Sequence, residues 1–408
     1  MSESTDNAPV VTGLGVVAAN GVGTEEYWAA TLAGKNGIDR IRSFDPSGYS
    51  VKLAGAAEGF VAAEHVRGKL MVQTDRWTQL GLAVADWALR DAQVDPSELP
   101  EYGLGVITAS SSGGNAFGQR EIEQLWSKGP EAVGVYQSVA WFYAATTGQV
   151  SIAQRARGRC GVLVAEQAGA LDALGQARRT LREDGGIVIS GGTEAPLSPY
   201  ALVCQIAGGR LSAGEDPDTA YLPFDARAAG HVPGEGGAML VTETAGSAAA
   251  RGVTPYGRIT GYAAGFDPRP GSGRPPALAR VITTALTDAG VAPEEVDVVF
   301  ADAAGVPELD RQEATALAGV FGPYGVPVTA PKTLIGRLYA GGGAVDTAAA
   351  LLAVRDSVIP PTAAAVEPDP AHRLDLVCGQ PREARVRTAV VVARGAGGFT
   401  SALVVQAV

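Results

Sequence analysis

"LVAEQAGALDAL" (163–174) runs from an apolar strand-like segment straight into a helical one, with Gln167 on the turn between them. The free N–H groups and positive end of a helix favour negative charge at such a turn, so a nucleophile placed there is well supported. A carboxamide cannot attack an acyl group. The chain therefore has the geometry of a catalytic elbow without its reactive atom.

Outward from this turn, short Val/Ile/Leu runs alternate with helical stretches of ten to twenty residues. That alternation predicts crossovers in a mostly parallel sheet covered on both faces. Buried strands are expected at 8–18, 103–110, 161–166, 185–192 and 236–243, then at 256–265, 296–303, 386–395 and 401–408. "RWTQLGLAVADWALRDAQV" (76–94) places apolar residues three and four apart, as an amphipathic helix does. The two sets of strands look like copies. "GALDALGQARRTLREDG" (169–185) and "GGAVDTAAALLAVRDSV" (342–358) share Gly-Ala-x-Asp, and "TAGSAAARGVTP" (244–255) reads as the join between halves at 1–250 and 251–408.

The whole composition excludes several functions. The 408 residues, 46% hydrophobic and 18% charged, describe a large folded α/β body. A net charge of −11 argues against a general nucleic-acid or anionic-membrane surface. No apolar run approaches the ~20 residues of a membrane helix, and "MSESTDNAPVV" (1–11) lacks the features of a leader, so a cytoplasmic location is expected. Three scattered cysteines and three scattered histidines show no metal-ligand spacing. "GLGVVA" (13–18) fits a dinucleotide-binding glycine pattern, but no strand ending in an acidic ribose contact follows about twenty residues on.

The duplicated halves and the elbow resemble the thiolase fold, a layered α-β-α-β-α architecture. Four strings, "VVTGLGVV", "FDARAAGHVPGEGGAMLV" (224–241), "PKTLIG" (331–336) and "RGAGGFTSALVV" (394–405), resemble β-ketoacyl synthases. That chemistry needs a thiolate to carry the acyl chain and two imidazoles to decarboxylate malonyl thioester and stabilise its enolate. The resemblance puts Gln167, Asp302 and Arg337 at those three positions. Lys332, Glu313, Gly397 and Gly398 remain, while a gating phenylalanine is replaced by Ala396. This set of losses is similar to the chain length factors, the ketosynthase β subunits of bacterial type II polyketide synthases.

Gln167 then has two readings: a buried amide filling the vacated pocket and hydrogen-bonding locally, or an N–H donor to a thioester or enolate oxygen during decarboxylation. Asp302 and Arg337 either pair with each other or point to water. His231 reads as packing, and so does Cys160, which lies too far upstream to replace the nucleophile. The resemblance assigns the chain-length gate to Asn115, Gly118, Ile122 and Val139, small enough here to leave room beyond an octaketide.

It further implies a heterodimer with a catalytic ketosynthase α subunit through the strand 160–166 and the aromatic run Trp141, Phe142, Tyr143. Substrate would come on the phosphopantetheine arm of an acyl carrier protein, for which Arg155, Arg157 and Arg159 are contact candidates if exposed. No directly bound cofactor or metal is expected. Alternatives are a malonyl-carrier-protein decarboxylase working through Gln167 and a degenerate thiolase-fold scaffold.

Overall fold

A computed structural model describes residues 5–269 and 271–408; residues 1–4, part of the opening stretch read above for a leader, lie outside them. Among the described residues one sheet has twelve strands, two of them marginal (Gly21–Val22 and Asp375–Leu376). The other ten are β1 (Pro9–Ala18), β2 (Leu104–Ala109), β3 (Cys160–Leu163), β4 (Ile187–Glu194), β5 (Gly236–Thr244), β6 (Gly257–Phe266), β7 (Val298–Phe300), β8 (Pro327–Thr329), β9 (Thr388–Arg394) and β10 (Phe399–Gln406).

Their spatial order is β8-β7-β9-β10-β6-β1-β5-β4-β2-β3. Read outward from the centre, β1-β5-β4-β2-β3 and β6-β10-β9-β7-β8 are the same topology twice, joined where Val10 and Val11 pair with Arg258 and Gly257. The sheet is mixed, not mostly parallel as the sequence suggested. β2 pairs in parallel with β3 and β4, and β7 with β8 and β9, but β1, β5, β6 and β10 pair antiparallel. Because helices cover both faces of the inner strands, β1, β4, β5, β9 and β10 are buried nearly end to end whatever their direction.

Seven helices matter here: α1 (Arg76–Asp91), α2 (Asn115–Lys128), α3 (Ala145–Ala153), α4 (Gly169–Asp184), α5 (Leu278–Ala289), α6 (Pro307–Phe321) and α7 (Gly342–Asp356). α4 and α7 form the central layer, packed against both halves of the sheet, with α1 outside one half and α5 outside the other. The small residues that raise the Ala and Gly content line this layer: in α7 every residue from Gly342 to Ala353 is buried. Gly13 and Gly15 are explained by packing, since a Cβ on either would overlap the α1 backbone at Ala88 or Val84. The expected join at 244–255 contains a helix, Ala245–Arg251, capped by the Thr244 hydroxyl at its start and by left-handed Gly252 at its end.

β3 is exposed or half-exposed along its whole length, because it ends the sheet. Cys160 is therefore exposed, not a core residue as the sequence suggested, and Val164 just beyond the strand is 50% exposed. No helix among the described residues is long and apolar enough to cross a membrane.

Candidate functional site

The elbow is sharper than the sequence implied. β3 stops at Leu163, and a single 3-10 turn, Glu166–Ala168, leads into α4. The strained residue is Glu166, held at φ +50°, a region costly for side chains other than glycine. The second half repeats the device: Tyr339, also at φ +50°, opens the turn Tyr339–Gly341 that leads into α7.

Gln167 is fully buried, and neither side-chain atom has a hydrogen-bond partner within the chain. Its amide packs on the first residue of α7, where a Cβ on Gly342 would overlap it. The local hydrogen bonding expected of this side chain is therefore absent; the main-chain N–H of Gln167 instead donates to Glu166 Oε2 at 2.8 Å. Glu166 also accepts from the Ala396 N–H at 3.0 Å.

Glu166, not Gln167, faces a cleft of about 420 Å³ whose wall includes His231, Arg337, Tyr339, Arg394 and Ala396. At its floor Arg337 and Asp302, 4% and 1% exposed, form an ion pair at 2.9 Å. Arg337 also donates to the carbonyls of Asp302 (3.1 Å) and Arg394 (2.7 Å), and the Arg394 N–H donates back to Asp302 at 2.9 Å. Burial pushes the Asp302 carboxyl up, but Arg337 and Lys332 outweigh it and hold the group below its ordinary range. Lys332 is paired with Asp346 of α7 at 2.7 Å and contacts the Ala301 and Asp302 carbonyls.

Glu313 on α6 accepts from the Asp302 and Ala303 N–H groups at 2.7 and 2.9 Å; burial, then Asp302, pushes it up to about 7. His231 is buried, lies within 3.3 Å of the Ala304 carbonyl, and is pushed down to about 3 by burial and by Arg337. A neutral imidazole follows, held as packing against Tyr221 and Tyr339. Every charge on the cleft floor is thus matched by a counter-charge or backbone dipoles, which is what buried charges require. Such an arrangement orders a pocket, and at the Asp302 and Arg337 positions it leaves neither side chain free of its partner.

The four positions expected to form the gate lie elsewhere, on α2 and the segment that follows it. Asn115 is half-buried and donates to Ser112 at 2.7 Å, while Gly118 is buried. A Cβ on Gly118 would sit 3.7 Å from both Gln137 Nε2 and Trp141 Cβ, in ordinary contact. Ile122 and Val139 are 51% and 37% exposed, so neither is a core position of this chain. Trp141, Phe142 and Tyr143 are all exposed, as are Arg155, Arg157 and Arg159. Arg157 pairs with Glu101, and Arg159 with Glu183 and Asp184.

Sequence reasoning missed Glu166, Tyr339, Arg394 and Gln137. Aligning the two Gly-Ala-x-Asp copies sets Glu166 against Ala340, one residue past Tyr339, and only the observed turns, Glu166–Ala168 and Tyr339–Gly341, bring the two elbow residues into register. Nothing in the spacing marks Gln137 or Arg394, which reach their places through tertiary folding. Among the described residues no group of three or more His, Cys, Asp or Glu is placed to hold a metal ion.

A repeated α/β half with an elbow at the start of each central helix defines a thiolase-fold protein. Family models for the N-terminal and C-terminal domains of β-ketoacyl synthases match residues 7–248 and 256–365, and the chain belongs to that family. It is 61% identical, over 97% of its length and 98% of the relative's, to the tetracenomycin polyketide synthase ketoacyl synthase beta subunit of Streptomyces glaucescens. Among solved structures, the ishigamide ketosynthase/chain length factor superposes with a TM-score of 0.90 at 27% identity, covering 98% of this chain and 99% of that one. A type II polyketide synthase acyl-carrier protein in complex with its ketosynthase bound to the hexaketide gives a TM-score of 0.87 at 27% identity, with the same coverage.

Proposed function

We propose that this chain is the chain length factor of a type II polyketide synthase, a non-condensing subunit that pairs with an intact ketosynthase and walls the tunnel in which the poly-β-ketone grows. The observation that carries this reading is the replacement of the whole condensing set: Gln167 is sealed behind Glu166, and Asp302 and Arg337 neutralise each other. The edge strand β3 and the exposed aromatics at 141–143 support the pairing, since unpaired edges and aromatic patches are where partners add. In this reading the halves divide at 250/251, the subunit works in the cytoplasm, and substrate comes on the phosphopantetheine arm of an acyl carrier protein. The solved complex of an acyl-carrier protein with its ketosynthase supports the carrier-borne substrate, and the two family models, which leave a gap between 248 and 256, support a division there.

The gate is steric. A close-packed wall does not compress, so Gly118 and Asn115 in place of larger groups leave depth for a product longer than an octaketide. The test is reconstitution with a ketosynthase and malonyl carrier protein, with product lengths read by mass spectrometry. Gly118→Thr and Asn115→Phe should shorten the product; condensation by this chain alone would overturn the proposal. A decarboxylase working through Gln167 is the second reading, favoured by its two unpaired amide atoms. Carbon dioxide released from malonyl carrier protein by the isolated chain, and lost in Gln167→Ala, would support it.

A further inference from the structure

We infer that Asp75, remote from the gate in sequence, is a positioning residue that sets product length by capping the gating helix from outside it. The inference rests on the tunnel reading above and goes beyond it.

α2 carries Asn115, Gly118 and Ile122 on one face, yet its own N-cap is Gly114, which offers no side-chain acceptor. Helices without a cap leave their first N–H groups unsatisfied and fray. Here the acceptor is borrowed. Asp75 Oδ2 takes the N–H of Phe117, in the first turn of α2, at 2.6 Å, while its Oδ1 takes the N–H of Trp77 at 3.2 Å and so caps α1. One carboxylate, 2% exposed, thereby joins the starts of two helices. α1 packs closely against β1 at Gly13 and Gly15, so Asp75 ties the gate to a tightly packed helix of the first half.

Two neighbouring features leave α2 no other seat. A Cβ on Gly114 would overlap the Ala140 carbonyl and approach Asp75 Cβ to 2.8 Å, and the Gly114 N–H donates to the Trp141 carbonyl at 3.1 Å. The backbone before the helix is therefore wedged between Asp75 and the segment that carries Val139 and Trp141. Glu194, 1% exposed at the end of β4, also accepts from the Ser111 N–H just upstream. Without Asp75 the Phe117 N–H is left unpaired in a dry site, and the first turn of α2 must shift or unwind. Asn115 and Gly118 would then move relative to Gln137 and Trp141, changing the depth of the wall without touching a wall residue.

The experiment uses the complete heterodimer with malonyl carrier protein and compares wild type, Gly118→Thr, Asp75→Ala and Asp75→Asn at equal amounts of purified complex. The readout is the share of each product length, which loss of folded complex alone does not alter. Asp75→Ala should lower the share of the main product at least 3-fold and spread it over neighbouring lengths. Asp75→Asn, which keeps one acceptor oxygen and puts an NH2 donor in place of the other, can still cap one of the two helices, so it should give a smaller shift in the same direction and stands in should Asp75→Ala not assemble. A distribution moved by Gly118→Thr but unchanged in both Asp75 variants overturns this inference alone. One that Gly118→Thr also leaves unmoved overturns the tunnel reading and this inference with it.

Discussion

At the residue scale the floor of the cleft shows what a pair of charges needs in order to stay buried. Asp302 has Arg337 and the Arg394 N–H around its carboxylate, and Arg337 has two carbonyls besides. Removing one partner strands the other, so Arg337→Ala should cost about 3–5 kcal/mol of stability. Arg337→Ala with Asp302→Ala should recover part of that loss. Denaturant unfolding of both variants checks this; equal losses would mean that Asp302 is solvated when alone. The identities of Gln167, Asp302 and Arg337 were legible because they interrupt recognisable strings. The pairing of two residues 35 apart in sequence was not, since an aspartate and an arginine read the same whether they meet or face water. The strain at Glu166 was equally hidden: the chain announces an elbow, but not which of two adjacent residues takes the left-handed conformation.

At the element scale, the starts of α4 and α7 meet, and the contact is Gln167 against Gly342. A methyl group at 342 has no room unless the amide moves, and overpacking of this kind costs about 1–3 kcal/mol. Gly342→Ala should therefore destabilise the chain in the presence of Gln167 and much less in a Gln167→Ala background. A double-mutant cycle that shows no coupling would place the amide elsewhere. Strand and helix positions were legible from apolar runs and from three-four spacing, as in α1. Strand direction was not. β5 and β10 return antiparallel to their neighbours, yet helices cover both their faces, so they are buried nearly end to end, as β4 and β9 are.

For the whole molecule, the topological repeat was foreshadowed by one shared tetrapeptide, and the rest of the duplication survives only in strand order, where packing requires size and shape and leaves residue identity free. The exposed end at β3 carries the last prediction. Charge on an edge strand blocks pairing, so Val164→Lys should cut co-purification with a ketosynthase at least tenfold while leaving the fold of the chain intact by circular dichroism. Retained assembly would place the interface away from this edge. The two left-handed elbows have a wider meaning. Strain at Glu166 and Tyr339 persists only while the surrounding layers hold it, so the central helices act as a clamp that needs both halves closed. A protein of this design cannot soften one repeat to adapt its cavity without loosening the other. Room for variation is left to elements outside that clamp, of which α2 is one.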